Sequence, residues 1–138
     1  MGPICKFADS KHARELMTEW KERLALHQWA IKLDLCDPHE FIMSNVAGEC
    51  EWELIGKSAV IRILKPEHYG KRIMKYCAER ILVHELLHCK LALFESDDTI
   101  YDRTMHMILE DMARALICAK YNITAEWFQD INYDNEED

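Results

Sequence analysis

Glycine and proline are scarce in this chain: four and three among 138 residues. No repeat or low-complexity stretch breaks the sequence, so there is little material for a linker and one domain is the economical reading. No apolar run approaches the roughly 20 residues needed to span a bilayer. The opening "MGPICKFADSKHARELM" lacks the apolar core of a secretion signal, which points to a cytoplasmic, non-membrane protein. Six cysteines are present, but none pairs as C-x-x-C, so a cysteine zinc finger is excluded and buried thiols are expected. Positive charge is also in deficit. The net charge of −8 disfavours a general nucleic-acid binder. Five of the acids fall in residues 130–138, read as an acidic, flexible tail to a domain of residues 1–129. Basic residues gather at Lys65, Lys71, Arg72, Lys75 and Arg80, a pattern expected of a solvated helix face.

Hydrophobic residues make up 49% of the chain, enough for a modest core. Leu16, Trp20 and Leu24, spaced four apart, predict a helix over 8–27. "WAIKLDL" alternates as a strand with one buried face, and residues 49–64 read as a hairpin with "IGKS" at its turn. Residues 72–94 carry one long helical pattern. "ESDDT" interrupts it, Asp98 or Thr99 caps a helix over 100–120, and Asn122 ends that helix. Thr124 opens a short final helix carrying Trp127 and Phe128. Segregated elements of this kind predict an α+β fold: an N-terminal helix, a small three-stranded antiparallel or mixed sheet, and two packed helices.

The chemistry gathers in "ILVHELLHCK". Residues four apart share a helix face roughly 6 Å apart, so His84 and His88 can reach one metal ion. Glu85, rotated off that axis, can reach a water beside the metal and act as general base. The neighbours are apolar nearly all round, and a helix of that kind is buried. Buried polar groups need partners, and one zinc ion would satisfy both imidazoles. Catalytic zinc usually has a third protein ligand. The next helix offers Glu110 and His106, four apart on one face; the apolar neighbours of Glu110 favour it as the ligand. His106 is then left to support a ligand or steady a substrate oxyanion. The same residues allow two other readings. Four ligands, His84, His88, His106 and Glu110, would close a purely structural site. Two imidazoles and a carboxylate also suit iron(II).

"VHELLH" on a buried helix, followed by Glu110 in "HMILEDMARAL", resembles the gluzincin branch of zinc metallopeptidases. The element order over about residues 8–120 looks like the minimal single-domain members called minigluzincins, and like small phage and bacterial metallopeptidases. The resemblance implies a zincin-like fold, with the motif helix antiparallel to the glutamate helix, and peptide-bond hydrolysis. His84, His88 and Glu110 would hold zinc, and Glu85 would serve as base. An extended peptide would pair with the strand nearest the metal, residues 59–64. One departure stands out: larger gluzincins carry an aspartate four residues after the glutamate ligand, and here that position is Arg114. His106 and Tyr101 are the candidates for an electrophile. Cys5 offers a thiol that could latch the zinc from an N-terminal segment lying over the cleft. The competing reading is a regulatory zinc-binding module that acts through a protein or nucleic-acid partner.

Overall fold

The computed structural model describes residues 1–95 and 97–129, so the acidic tail of residues 130–138 lies outside the described residues. Helix α1 spans Ser10–Arg23 and is capped by Asp9, whose carboxylate accepts from His12 N at 2.8 Å. It buries Ala13, Leu16, Met17 and Trp20. The helix stops four residues short of the expected end. Ala25 takes a left-handed φ of 55°, and Leu26 N and Ala25 N bond back to the Lys21 and Glu22 carbonyls. Leu26 is buried all the same, so its apolar signal extends the helical pattern past the cap.

Strands β1 (Ala30–Cys36), β2 (Gly48–Glu53) and β3 (Ser58–Leu64) form one mixed sheet in the order β1-β3-β2. β1 runs parallel to β3, Ala30 opposite Ser58, and β2 runs antiparallel to it, Cys50 opposite Ile61. Ile61 and Ile63 are wholly buried beneath the helices. This topology corrects the expectation that residues 59–64 receive an added peptide strand. β3 is the central strand, and both of its edges are already hydrogen-bonded. The edge beside the helices is β2. The Ala47 carbonyl accepts from Leu64 N, so by the alternation of an antiparallel ladder the backbone groups of Gly48, Cys50 and Trp52 turn away from β3.

Helix α2 is Ala78–Lys90 and helix α3 is Thr99–Tyr121. The pattern expected to be helical from residue 72 starts six residues late, because tertiary bonds claim the intervening backbone. Met74 bridges to Gln129, and Lys75 N donates to the Phe128 carbonyl. The first N–H groups of α2 are taken by the chain's N-terminal segment: Ala78 N and Glu79 N donate to the Cys5 and Ile4 carbonyls. At the other end the helix gives way to a 3-10 turn over Ala92–Phe94. Asp98 caps α3 by accepting from Ile100 N and Tyr101 N, and Asn122 closes it in the left-handed region. Arg80 and His84 face Glu110 while His88 faces His106, so α2 and α3 run antiparallel. The fold is α+β, with three helices and a three-stranded mixed sheet. No helix among the described residues is long and apolar enough to cross a membrane.

A buried carboxylate pins these parts together. Glu79, fully enclosed, accepts from Ile4 N, Trp20 Nε1, Lys120 Nζ and Tyr121 OH, all at 2.7–2.8 Å. The N-terminal segment, α1 and the end of α3 therefore meet at the first turn of α2.

Candidate metal centre

A cavity of about 390 Å³ opens between β2, α2 and α3. Gly48, Cys50 and Trp52 form one wall, with Arg80, His84, Glu85 and His88 opposite and His106 and Glu110 alongside. The close approach of β2 to α2 depends on Gly48. A Cβ there would stand 2.6 Å from Ile81 Cγ2 and 2.9 Å from Glu85 Oε2.

His84, His88 and His106 converge. Each offers a ring nitrogen, and the three donor atoms lie within 4.8 Å of one another. The rings of His84 and His88 are 5.3 Å apart between centroids, as one helix face dictates, and His106 stands 4.8 Å from His88. The outer nitrogens of the first two rings are occupied. His84 Nδ1 lies 3.0 Å from Glu110 Oε1, and His88 Nδ1 lies 2.7 Å from Glu95 Oε1. A carboxylate on Nδ1 fixes the proton there and leaves Nε2 bare for a cation. Burial holds the His88 pKa below its ordinary value, against the opposing pull of Glu95, so the ring is neutral and ready to ligate. Trp52 stacks on the same ring, centroids 5.9 Å apart and planes 14° from parallel. Three convergent imidazoles, two of them with a carboxylate on Nδ1, have the donor chemistry that suits a zinc ion.

Glu110, expected as the third ligand, does not belong to this convergent set. Its carboxylate is drawn aside by Arg80 Nη1 at 3.1 Å, His84 Nδ1 at 3.0 Å and Arg114 Nε at 3.4 Å. Burial alone would raise its pKa, but the His84 hydrogen bond and the two guanidiniums outweigh it and keep Glu110 ionised. Glu110 and His106 share one face of α3, so sequence periodicity cannot rank them; the pull of Arg80 does. Glu110 thus orients His84, the task that the resembled family gives to an acid at the position of Arg114. Here Arg114 bonds Asp111 and leans on Glu110.

Glu85 lies beside the cluster with His88 Nε2 at 4.0 Å from its Oε1. Burial pushes its pKa up to about 7, aided by the negative charges of Glu49 and Glu110 and opposed by His84 and Arg80. Cys50 and Cys89 sit with sulfurs 3.6 Å apart. That contact and burial drive the Cys50 pKa upward, so the thiol stays protonated. Tyr101 is exposed and does not line the cavity. Cys5 sits at the first turn of α2 and takes no part in the cavity, which removes the expected thiol latch.

Two contributors lay outside the expected set. The sequence pattern places Arg80 on a solvated basic face, yet it is 7% exposed and lines the cavity. Its position four residues before His84, on the same helical face, was the available signal. Glu95 sits in what reads as a helix-breaking acidic stretch, and nothing in its local pattern points to His88.

No protein-family model matches the chain, and no curated protein or solved structure is detectably similar to it.

Proposed function

We propose that this protein is a zincin-like, zinc-dependent peptidase whose metal is held by His84, His88 and His106. The observation that carries this reading is the convergence of three imidazoles, two of them backed by carboxylates, beside a buried glutamate that opens onto the same cavity. Zinc would supply the Lewis acidity that makes a water molecule nucleophilic near neutral pH. Glu85, buried beside the cluster and opening onto the cavity, takes a proton from water and returns it to the departing amine. The outward backbone groups of β2 hold an extended peptide by adding it to the sheet edge. A cavity of about 390 Å³ favours short or flexible peptides. Glu110 is engaged elsewhere, so among the described residues no fourth protein donor joins the three imidazoles, as one would in a structural site.

The test is metal content with matched variants. Wild-type protein should carry one zinc per chain. His84→Ala, His88→Ala and His106→Ala should each lose it, whereas Glu110→Ala should bind about 10- to 100-fold more weakly. Glu85→Gln should keep its zinc while peptide cleavage falls by about 100- to 10,000-fold. Full zinc retention by His106→Ala would sink the proposed ligand set; undiminished cleavage by Glu85→Gln would sink the mechanism.

A further inference from the structure

Among the described residues, Arg80 is the only lysine or arginine in the cavity wall. It is nine-tenths buried, and taking a guanidinium out of water is costly unless its donors are met. They are not all met. Nη1 reaches Glu110 Oε1 and Oε2 at 3.1 and 3.4 Å, but the buried Nε has no hydrogen-bond partner among the described residues. Nor does Glu110 neutralise it fully, because the same carboxylate serves His84 and leans against Arg114. Arg114 has Asp111 as its own partner, whereas Arg80 has only the shared Glu110 among its hydrogen-bonded carboxylates. The opposite end is acidic, with Glu95 behind His88 and Asp102 3.5 Å from His106.

The spacing relates this charge to the imidazoles. Arg80 precedes His84 by one helical turn on the same face of α2, and Glu110 bridges the two through successive hydrogen bonds. In a peptide, a residue's carboxylate lies about one residue length, roughly 3.8 Å, beyond the carbonyl before it. With the carbonyl at the histidines, that length is comparable to the single helical turn of α2 that separates His84 from Arg80. A guanidinium fork is the natural receptor for such a group.

We propose that Arg80 determines specificity by receiving a carboxylate on the leaving-group side of the substrate, so that the preferred peptide ends, or carries an acidic side chain, one residue past the bond to be cut. This rests on the reading of the histidine cluster as a hydrolytic metal site, and it adds the substrate class.

The experiment measures binding, not turnover. The zinc-loaded full chain is titrated calorimetrically with short peptide hydroxamates differing only at the far end: a free carboxylate, a carboxamide, or a carboxamide with an aspartate side chain. Wild type should bind at least one of the two acids about tenfold or more tightly than the plain carboxamide. Whichever acid wins identifies the chain terminus or the side chain as the source. Arg80→Met, titrated after its zinc content is matched to wild type, should level the series. Arg80→Lys keeps a charge opposite Glu110 but loses the fork. It should retain only part of the preference, and it serves if the methionine variant does not fold. Equal affinities for all three ligands, or binding of none, overturns the proposal. A preserved acid preference in a protein that cleaves no peptide would refute the peptidase reading alone. Cleavage together with equal affinities would refute the role of Arg80 alone.

Discussion

Glu79 and Glu85 lie six residues apart on α2 and are both buried, yet their surroundings are opposite. Glu79 accepts four hydrogen bonds, two of them from Trp20 and Ile4 and two from the end of α3. Glu85 receives no hydrogen bond from the described residues; it faces a cavity, and burial lifts its pKa to about 7. The same side chain on the same helix is a rivet in one place and an unbonded acid facing a cavity in the other. What separates them is how many donors the neighbouring elements bring. A satisfied carboxylate is spent on structure, and an unsatisfied one remains available for chemistry.

Removing charge at each position should break the comparison cleanly. Glu79→Gln should have the larger effect on folding: its NH2 would face two donors and Lys120 would keep only Glu19, lowering stability by about 3–5 kcal/mol, or roughly 10–20 °C in Tm. Thermal unfolding measures this. A variant that melts normally would show that the clamp holds nothing.

Glu85→Gln should act in the other direction on the metal-free protein. The folded-state pKa of about 7 lies above the ordinary 4.5, so the folded chain binds this proton more tightly than the unfolded chain does. Stability from this group is complete below pH 4.5 and is lost as pH rises toward 7. The variant keeps a neutral side chain throughout. Its advantage over wild type should grow from near zero at pH 4.5 to about 2–3 kcal/mol at pH 8. Denaturant unfolding across that range is the measurement, and an advantage that does not change with pH would contradict the assignment.

The smallest effect is expected at the strand that walls the cavity. Gly48→Ala sets a methyl against Ile81 and Glu85 and should cost about 1–3 kcal/mol. Because the clash includes Glu85 and not Glu79, zinc-dependent cleavage should fall further than Tm. Equal losses would mean that β2 only packs and does not shape the site.

Much of this molecule can be read from local pattern, and the unread parts share one cause. The caps at Asp98 and Asn122, the alternation of "ECEWEL", and the common face of His84 and His88 all follow from residues close in sequence. Alternation reveals which face of a strand is buried but not which strand lies beside it. The parallel pairing of β1 with β3, and hence the open edge on β2, could not be read. The helical period of residues 72–77 is real, but Lys75 N finds the Phe128 carbonyl more than fifty residues away. The burial of Arg80, the contact of Glu95 with His88 and the pairing of Glu110 with Arg80 could not be read for the same reason, since each depends on a partner on another element.

The strap formed by the residues ahead of α1 has a practical side. Ile4 and Cys5 serve as the missing upstream turn of α2, giving two carbonyls and one amide to the helix that bears the histidines. Clipping the chain there by a contaminating protease, or crowding it with a fused tag, would fray that helix from its first turn. The damage would start two turns from the imidazoles, and a preparation altered in this way could look inactive for reasons unrelated to its chemistry.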